Sequence, residues 1–258
     1  MRRFALVLLC GIMALCSCRS GIKVISYNVG TFTKSGQDCT QMIADMLSQE
    51  QADFVGLCEL DSCTVRTGGR YQLAELTSKV KGGYQAVFAP SLRSFQGGKY
   101  GLGMLIKSNY PVQSTEVIEL EMGNGVEQRI LAIAQTPQVI FAVTHLDHIG
   151  AQARALQCAQ ITQILSAQAG QTGKDVILCG DFNCVPESAE MQYMNEYWTR
   201  VSPVQNTYPS DVPQRCIDYI FILKGSGLSC RDSRVLESTE TFDAARASDH
   251  LAVCVELR

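Results

Sequence analysis

Short apolar runs punctuate the chain at Ile22 to Ser26, Phe54 to Cys58, Val139 to Val143 and Val176 to Cys179. Their length and β-branched content predict buried strands. Between them the spacing turns helical, over Gln37 to Gln49 with Met42, Ile43, Met46 and Leu47 on one face, then Tyr71 to Val80, Ala151 to Ala167 and Glu187 to Glu196. Strands and helices alternate, which predicts an α/β fold. No internal repeat, low-complexity tract or long charge run divides the chain.

Polar clusters stand at the ends of these runs: Ser26-Tyr27-Asn28, Glu59, Thr144-His145-Leu146-Asp147 and Gly180-Asp181-Phe182-Asn183, with Ser248-Asp249-His250 near the C-terminus. A strand end fixes a side chain while leaving it open to solvent. Taken singly, Asp-Phe-Asn after Gly180 is an Asx-type turn, and Glu59 is a solvated strand end. The histidines change that reading. The chain has three, and His145 and His250 each neighbour a carboxylate, Asp147 and Asp249. His148 reads as a loop residue. Asp218 interrupts the apolar segment Cys216 to Ile222, where a carboxylate is costly unless paired, and histidine is a natural partner. No Cys or His cluster has zinc spacing, so the acidic groups point to a hard divalent cation.

In chain order, Ser26-Tyr27-Asn28-Val29, Leu57-Cys58-Glu59-Leu60, Tyr100-Gly101-Leu102-Gly103, Thr144-His145-Leu146, Gly180-Asp181-Phe182-Asn183, Ile217-Asp218-Tyr219-Ile220-Phe221 and Ser248-Asp249-His250-Leu251 resemble the endonuclease/exonuclease/phosphatase superfamily, the relatives of deoxyribonuclease I. Glu127-Gln128-Arg129, Arg66 and Thr207 to Asp211 resemble its bacterial small-hydrolase branch. Cys58 departs from the Gln that relatives usually carry before the metal-binding Glu. The resemblance implies a four-layer α-β-β-α sandwich of two facing mixed sheets flanked by helices.

It also implies a Mg²⁺-dependent phosphoesterase, with Mn²⁺ as a substitute. Glu59 would be the first metal ligand, with Asn28 and Asp249 completing the site directly or through water. Asp181 and Asn183 would hold the attacking water, Asp218 would orient His250, and His145 would donate to a non-bridging oxygen with Asp147 or a water setting its tautomer. Either His250 or Asp181 serves as the base. An unperturbed Asp near pKa 3.9 is a feeble base, whereas His near about 6.5 is well placed. Arg66, Tyr100 and Arg129 are the candidate substrate contacts.

The N-terminus has a basic start at Arg2-Arg3, an apolar stretch from Phe4 to Leu15 too short to span a bilayer, and Leu15-Cys16-Ser17-Cys18, which resembles a bacterial lipoprotein cleavage box. This predicts residues 1–17 as a lipoprotein signal peptide, lipid on Cys18, and residues 18–258 as a single domain. The product would be a monomer held to a bacterial membrane, facing the periplasm or the cell surface.

Twelve cysteines are then reduced to nine, an odd number. Cys58, Cys179 and Cys254 sit in apolar runs as small core residues, and Cys184 with Cys216 is the first disulfide to test. Charge narrows the substrate. Arg2 and Arg3 belong to the signal, so of 22 basic residues 20 remain against 25 acidic ones. No basic stripe or aromatic-rich insertion suggests a grip on polynucleotide. A small or lipid-headgroup phosphoester is therefore expected, with a secreted nuclease as the alternative and a lipid-anchored binding module as the non-enzymatic one.

Overall fold

The apolar runs become strands that continue past the point where the hydrophobic pattern stops. The computed structural model describes residues 21–258; Cys18 and the predicted signal peptide of residues 1–17 lie outside the described residues. In chain order the strands are β1 (Ile22–Asn28), β2 (Thr33–Lys34), β3 (Gln37–Asp38), β4 (Phe54–Ser62), β5 (Tyr84–Phe95), β6 (Gly98–Lys107), β7 (Ser114–Glu119), β8 (Ile130–Gln135), β9 (Val139–His145), β10 (Asp175–Asp181), β11 (Trp198–Arg200), β12 (Asp218–Leu223), β13 (Cys230–Val235) and β14 (Val253–Leu257). The helices are α1 (Thr40–Glu50), α2 (Gln72–Lys79), α3 (Ala151–Thr172), α4 (Ala189–Tyr197) and α5 (Ala244–Ala247). Among the described residues no helix is long and apolar enough to cross a membrane.

Two six-stranded mixed sheets form, in the orders β13-β14-β1-β4-β6-β5 and β11-β12-β10-β9-β8-β7. Strand periodicity explains why the runs are apolar throughout. Val24 of β1 packs between the sheets with Phe141 and Ile177, while Ile25 packs outward with Ile43 and Leu47 of α1 and Leu73 of α2. In the second sheet Ile140 and Leu178 pack outward with Ile161 of α3 and Met194 of α4. The result is the four-layer sandwich. Gly56 shows how closely the sheets meet, because a Cβ there would lie 2.3 Å from Cys179 Sγ.

Helix limits differ from the spacing for local reasons. The Asp38 carboxylate accepts from Thr40 N at 2.9 Å, and Gln37 and Asp38 pair with Lys34 and Thr33, so α1 starts three residues later than its pattern. Helix α3 continues to Thr172 and ends at Gly173, whose φ is +67°. It tolerates Gly170 in its last turns at a cost of roughly 1 kcal/mol. Ser188 caps α4 by accepting from Met191 N at 3.3 Å.

Topology gathers the polar clusters at one end. Strands β1 and β4 are parallel, as are β9 and β10, so Asn28, His145 and Asp181 end their strands together, with Glu59 beside Asn28 where β4 bulges. Antiparallel β12 and β14 start at that same end, which delivers Asp218 and the Asp249-His250 pair. Asp218 opens its strand rather than interrupting it.

Candidate active site

One row of backbone pairing organises the site. His145 pairs with Asp181 across β9 and β10, and Asp181 pairs with Asp218 across β10 and β12. The glycine before Asp181 makes this possible: Gly180 has φ +149°, and a Cβ would come within 1.8 Å of Thr144 O. Glu59 also needs unusual backbone, with φ +63° at the register shift between Leu57 and Leu60. Such a bulge re-aims a side chain that regular pleating would bury or expose.

Asn28 joins the two sheets. Its amide nitrogen donates to Glu59 Oε1 at 3.0 Å and Asp181 Oδ2 at 3.1 Å, and it lies 3.4 Å from His250 Nε2. Its oxygen accepts from Gly30 N at 3.1 Å. The His250 Nδ1–H donates to Asp218 Oδ2 at 2.9 Å, and Thr207 Oγ1 donates to the same oxygen. Both His145 Nε2 and His250 Nε2 approach Asp181 Oδ2, at 3.5 and 3.6 Å. Asn183, at φ +53°, donates its backbone N–H to Asp181 Oδ1 at 2.9 Å and its amide N–H to Leu146 O at 3.0 Å.

Burial and charge set the protonation states. Burial raises the Asp181 carboxyl, against the pull of the His250 cation, and the Asp218 charge adds to the rise. For His250 burial opposes the charge, but the Asp218 and Asp181 carboxylates on either side outweigh it and push the imidazole up to about 10. His145 moves the other way. Burial holds it well below its ordinary value, assisted by the Arg129 charge.

His145, Asp181, Asn183 and His250 line a cleft of about 360 Å³ together with Glu59, Tyr100, Glu127, Arg129, His148, Tyr208, Arg215 and Asp249. A larger cavity of about 600 Å³ lies at the opposite end, where Ile22, Val139 and Asp175 begin their strands. The polar cluster, not cavity size, marks the candidate site. Two carboxylate oxygens sharing one amide partner form a compact hard-oxygen patch, and Asp249 lines the same cleft, so the donor set fits a divalent cation. Asp181, Asp218 and His250 also offer ligand atoms within 4.8 Å of one another, although the Asp218–His250 hydrogen bond already occupies two of them.

Several expectations need amendment. Arg66 sits outside the set lining the cleft: it is paired with buried Asp61 at 2.6 and 2.8 Å and stacked 5.2 Å from the Tyr100 ring centroid. Asp147 does not set the His145 tautomer. Instead it ties two loops together, accepting from Val126 N, Ile149 N and Gly150 N at 2.9, 2.9 and 2.6 Å. Cys184 and Cys216 are both free and buried, as no disulfide forms among the described residues. Sequence reasoning missed Thr207, Tyr208 and Glu127 as parts of the site and left His148 as a loop residue. Tyr208 packs its ring 4.8 Å from that of His250. The Thr207 to Asp211 stretch was a signal, but of kinship rather than of contact.

No curated protein matches the chain significantly. Solved structures are similar across most of its length. An endonuclease/exonuclease/phosphatase family protein of Bacteroides thetaiotaomicron superposes with a TM-score of 0.75 at 19% identity, covering 92% of this chain and 95% of that one. A mannosyl-6-phosphatase of the same organism gives 0.75 at 18%, covering 92% and 99%. The human Nocturnin catalytic domain gives 0.70 at 20%, covering 92% and 94%. At these identities the likeness speaks for the fold. Residues 25–250 match the Endonuclease/Exonuclease/phosphatase family, whose enzymes use divalent metals, and the chain belongs to that family.

Proposed function

We propose that the chain is a Mg²⁺-dependent phosphoesterase acting on a small phosphate ester. The observation that carries this reading is the meeting of Glu59, Asn28 and Asp181 with the His250–Asp218 pair in one hydrogen-bonded cluster at the floor of a single cleft. Glu59, with Asn28 and Asp249, would hold the cation. When bound, the cation neutralises phosphoryl charge and polarises the phosphorus. The Asn28 oxygen would use the lone pair left by Gly30 N.

Of the two candidate bases, Asp181 is favoured. Its raised affinity for a proton suits it to take one from water held with Asn183, while His250, kept cationic by Asp218, stabilises negative charge on the reacting phosphoryl group. Uncharged His145 donates to a non-bridging oxygen. Tyr100 and Arg129, which line the cleft, contact substrate, and Arg66 supports Tyr100 from behind.

Cleft volume and charge support a small substrate, and the mannosyl-6-phosphatase among the structural neighbours is consistent with one. A lipid on Cys18, as the N-terminal motif predicts, would add an orientation argument. The chain enters β1 at Ile22, six residues before Asn28, so the anchor would leave from the end opposite the cleft. At about 3.3 Å per residue that is roughly 20 Å, which favours a soluble ester over a lipid of the same bilayer.

The test is phosphate-ester cleavage by the purified protein with and without Mg²⁺, beside Glu59→Ala. Metal-dependent turnover lost in the variant is expected. A folded, Mg²⁺-binding protein inert toward mono- and diesters, sugar phosphates and single-stranded DNA would favour a binding module instead.

A further inference from the structure

His148 lines the cleft but has no part in the mechanism above, and its ring is held by Arg129, already placed at the substrate. Arg129 precedes β8, and its side chain is 4% exposed. It contacts Glu127 Oε1 through Nη1 at 2.9 Å and His148 Nδ1 through Nη2 at 3.1 Å. Glu127, Arg129 and His148 all line the cleft beside His145 and Tyr100. The backbone of this region is fixed as well, because Asp147 accepts N–H groups from both the loop carrying Val126 and the loop carrying Ile149.

A guanidinium can only donate. The 3.1 Å contact therefore needs a lone pair on His148 Nδ1, which places the ring proton on Nε2, at the edge of the ring away from Arg129. His148 is exposed, so this N–H is a free donor with a set tautomer and a buried positive charge behind it. Glu127 orients the guanidinium through its other arm, at 2.9 Å.

We propose that His148 binds the substrate's phosphoryl group through Nε2–H, that Arg129 is the positioning residue fixing this tautomer, and that the pair selects phosphate monoesters over diesters. The inference rests on the phosphoesterase reading. A diester offers two non-bridging oxygens and one negative charge, for which the Glu59 cation patch and His145 already provide. A monoester adds a third oxygen and close to a second charge. His148 Nε2–H meets the oxygen, and Arg129 counters the charge.

Two measurements test it. Long-range ¹H–¹⁵N spectra of the labelled protein, simple because the chain has three histidines, should show His148 protonated on Nε2 and not on Nδ1. Arg129→Met should yield a mixture of tautomers. Inorganic phosphate should shift the Nε2 resonance in the wild type and not in that variant. In kinetics with p-nitrophenyl phosphate and bis(p-nitrophenyl) phosphate, His148→Ala should lower monoester kcat/KM about 10- to 100-fold, the scale of a hydrogen bond to a charged group, and leave the diester within about threefold. His148→Gln, whose amide nitrogen reaches the Nε2 position, should restore most of the loss, whereas His148→Asn should not. A proton on Nδ1, no phosphate response, or equal losses on both esters overturns the proposal. If the wild type cleaves neither ester, the phosphoesterase reading fails, and the tautomer and phosphate titration still decide the role of His148.

Discussion

Asp181 and Asp218 face each other in register across β10 and β12, two buried carboxylates on neighbouring strands. Like charges so placed repel unless a cation or a proton intervenes. His250 intervenes, bound to Asp218 at 2.9 Å and 3.6 Å from Asp181.

His250→Ala removes that cation and should do two things at once. Turnover should fall by about 10²- to 10³-fold, the usual worth of a donor that stabilises charge developing on the reacting group. Stability should fall by roughly 3–5 kcal/mol, because an ion pair broken from one side leaves charge buried. Steady-state kinetics and urea unfolding of the same preparation check both. A variant with more than a tenth of wild-type kcat/KM would remove His250 from the reaction.

Asn28→Asp tests the cation patch without touching its carboxylates. The substitution replaces the amide that bridges Glu59 and Asp181 with a third negative group. In EDTA the variant should melt below wild type, and Mg²⁺ should raise its Tm by more than it raises that of the wild type, since a bound cation stabilises in proportion to its affinity for the folded state. Equal Mg²⁺ responses in the two proteins would place the cation elsewhere.

The sequence was informative where local pattern and position coincide. Ile25 and Val24 are both buried, on opposite faces of β1, so an unbroken apolar run was a sufficient signal for a strand between layers. Asn28, His145 and Asp181 were legible because each is the last residue of such a strand. Edge strands were not: β7 and β13 carry Glu116, Arg231 and Asp232 among their residues and show no run to read. Loop contributions such as Thr207 on Asp218, or Arg129 on His148, depend on which distant loops become neighbours, and no spacing encodes that. Arg66 illustrates the same limit. Its position near the site was foreseen, but its partner Asp61 was not.

The nine described cysteines are all free, and Cys63 and Cys230 are the exposed pair. Thiol titration of the described region should find two fast-reacting groups in the native protein and the other seven only after unfolding. Burial is the main cause of the slow set, as with Cys58 and Cys179, whose thiols it pushes upward and out of the reactive thiolate form, with the Asp181 charge adding to the rise at Cys58. A Cys184–Cys216 disulfide found by mass mapping of the native protein would contradict this arrangement.

Asp147 makes a prediction about acid. Its carboxylate is buried, which by itself would raise its proton affinity, but the N–H groups of Gly150, Val126 and Ile149 outweigh that and hold it below the ordinary value. A folded-state value below the unfolded one, about 3.9 for an ordinary Asp, means that the unfolded chain binds the proton more readily. The contribution is therefore complete above roughly pH 4 and is lost as pH falls toward the folded value. Asp147→Asn should be less stable than wild type near pH 7, and the gap in urea midpoints should narrow between pH 5 and pH 3. A gap that stays constant would show that the carboxylate charge contributes nothing and that the loops are held by shape alone. Because Asp147 ties the Val126 and Ile149 loops, the same acid step should loosen the wall that carries Arg129 and His148 before the strand ends bearing Asp181 give way, so hydrogen exchange in residues 122–129 should rise first.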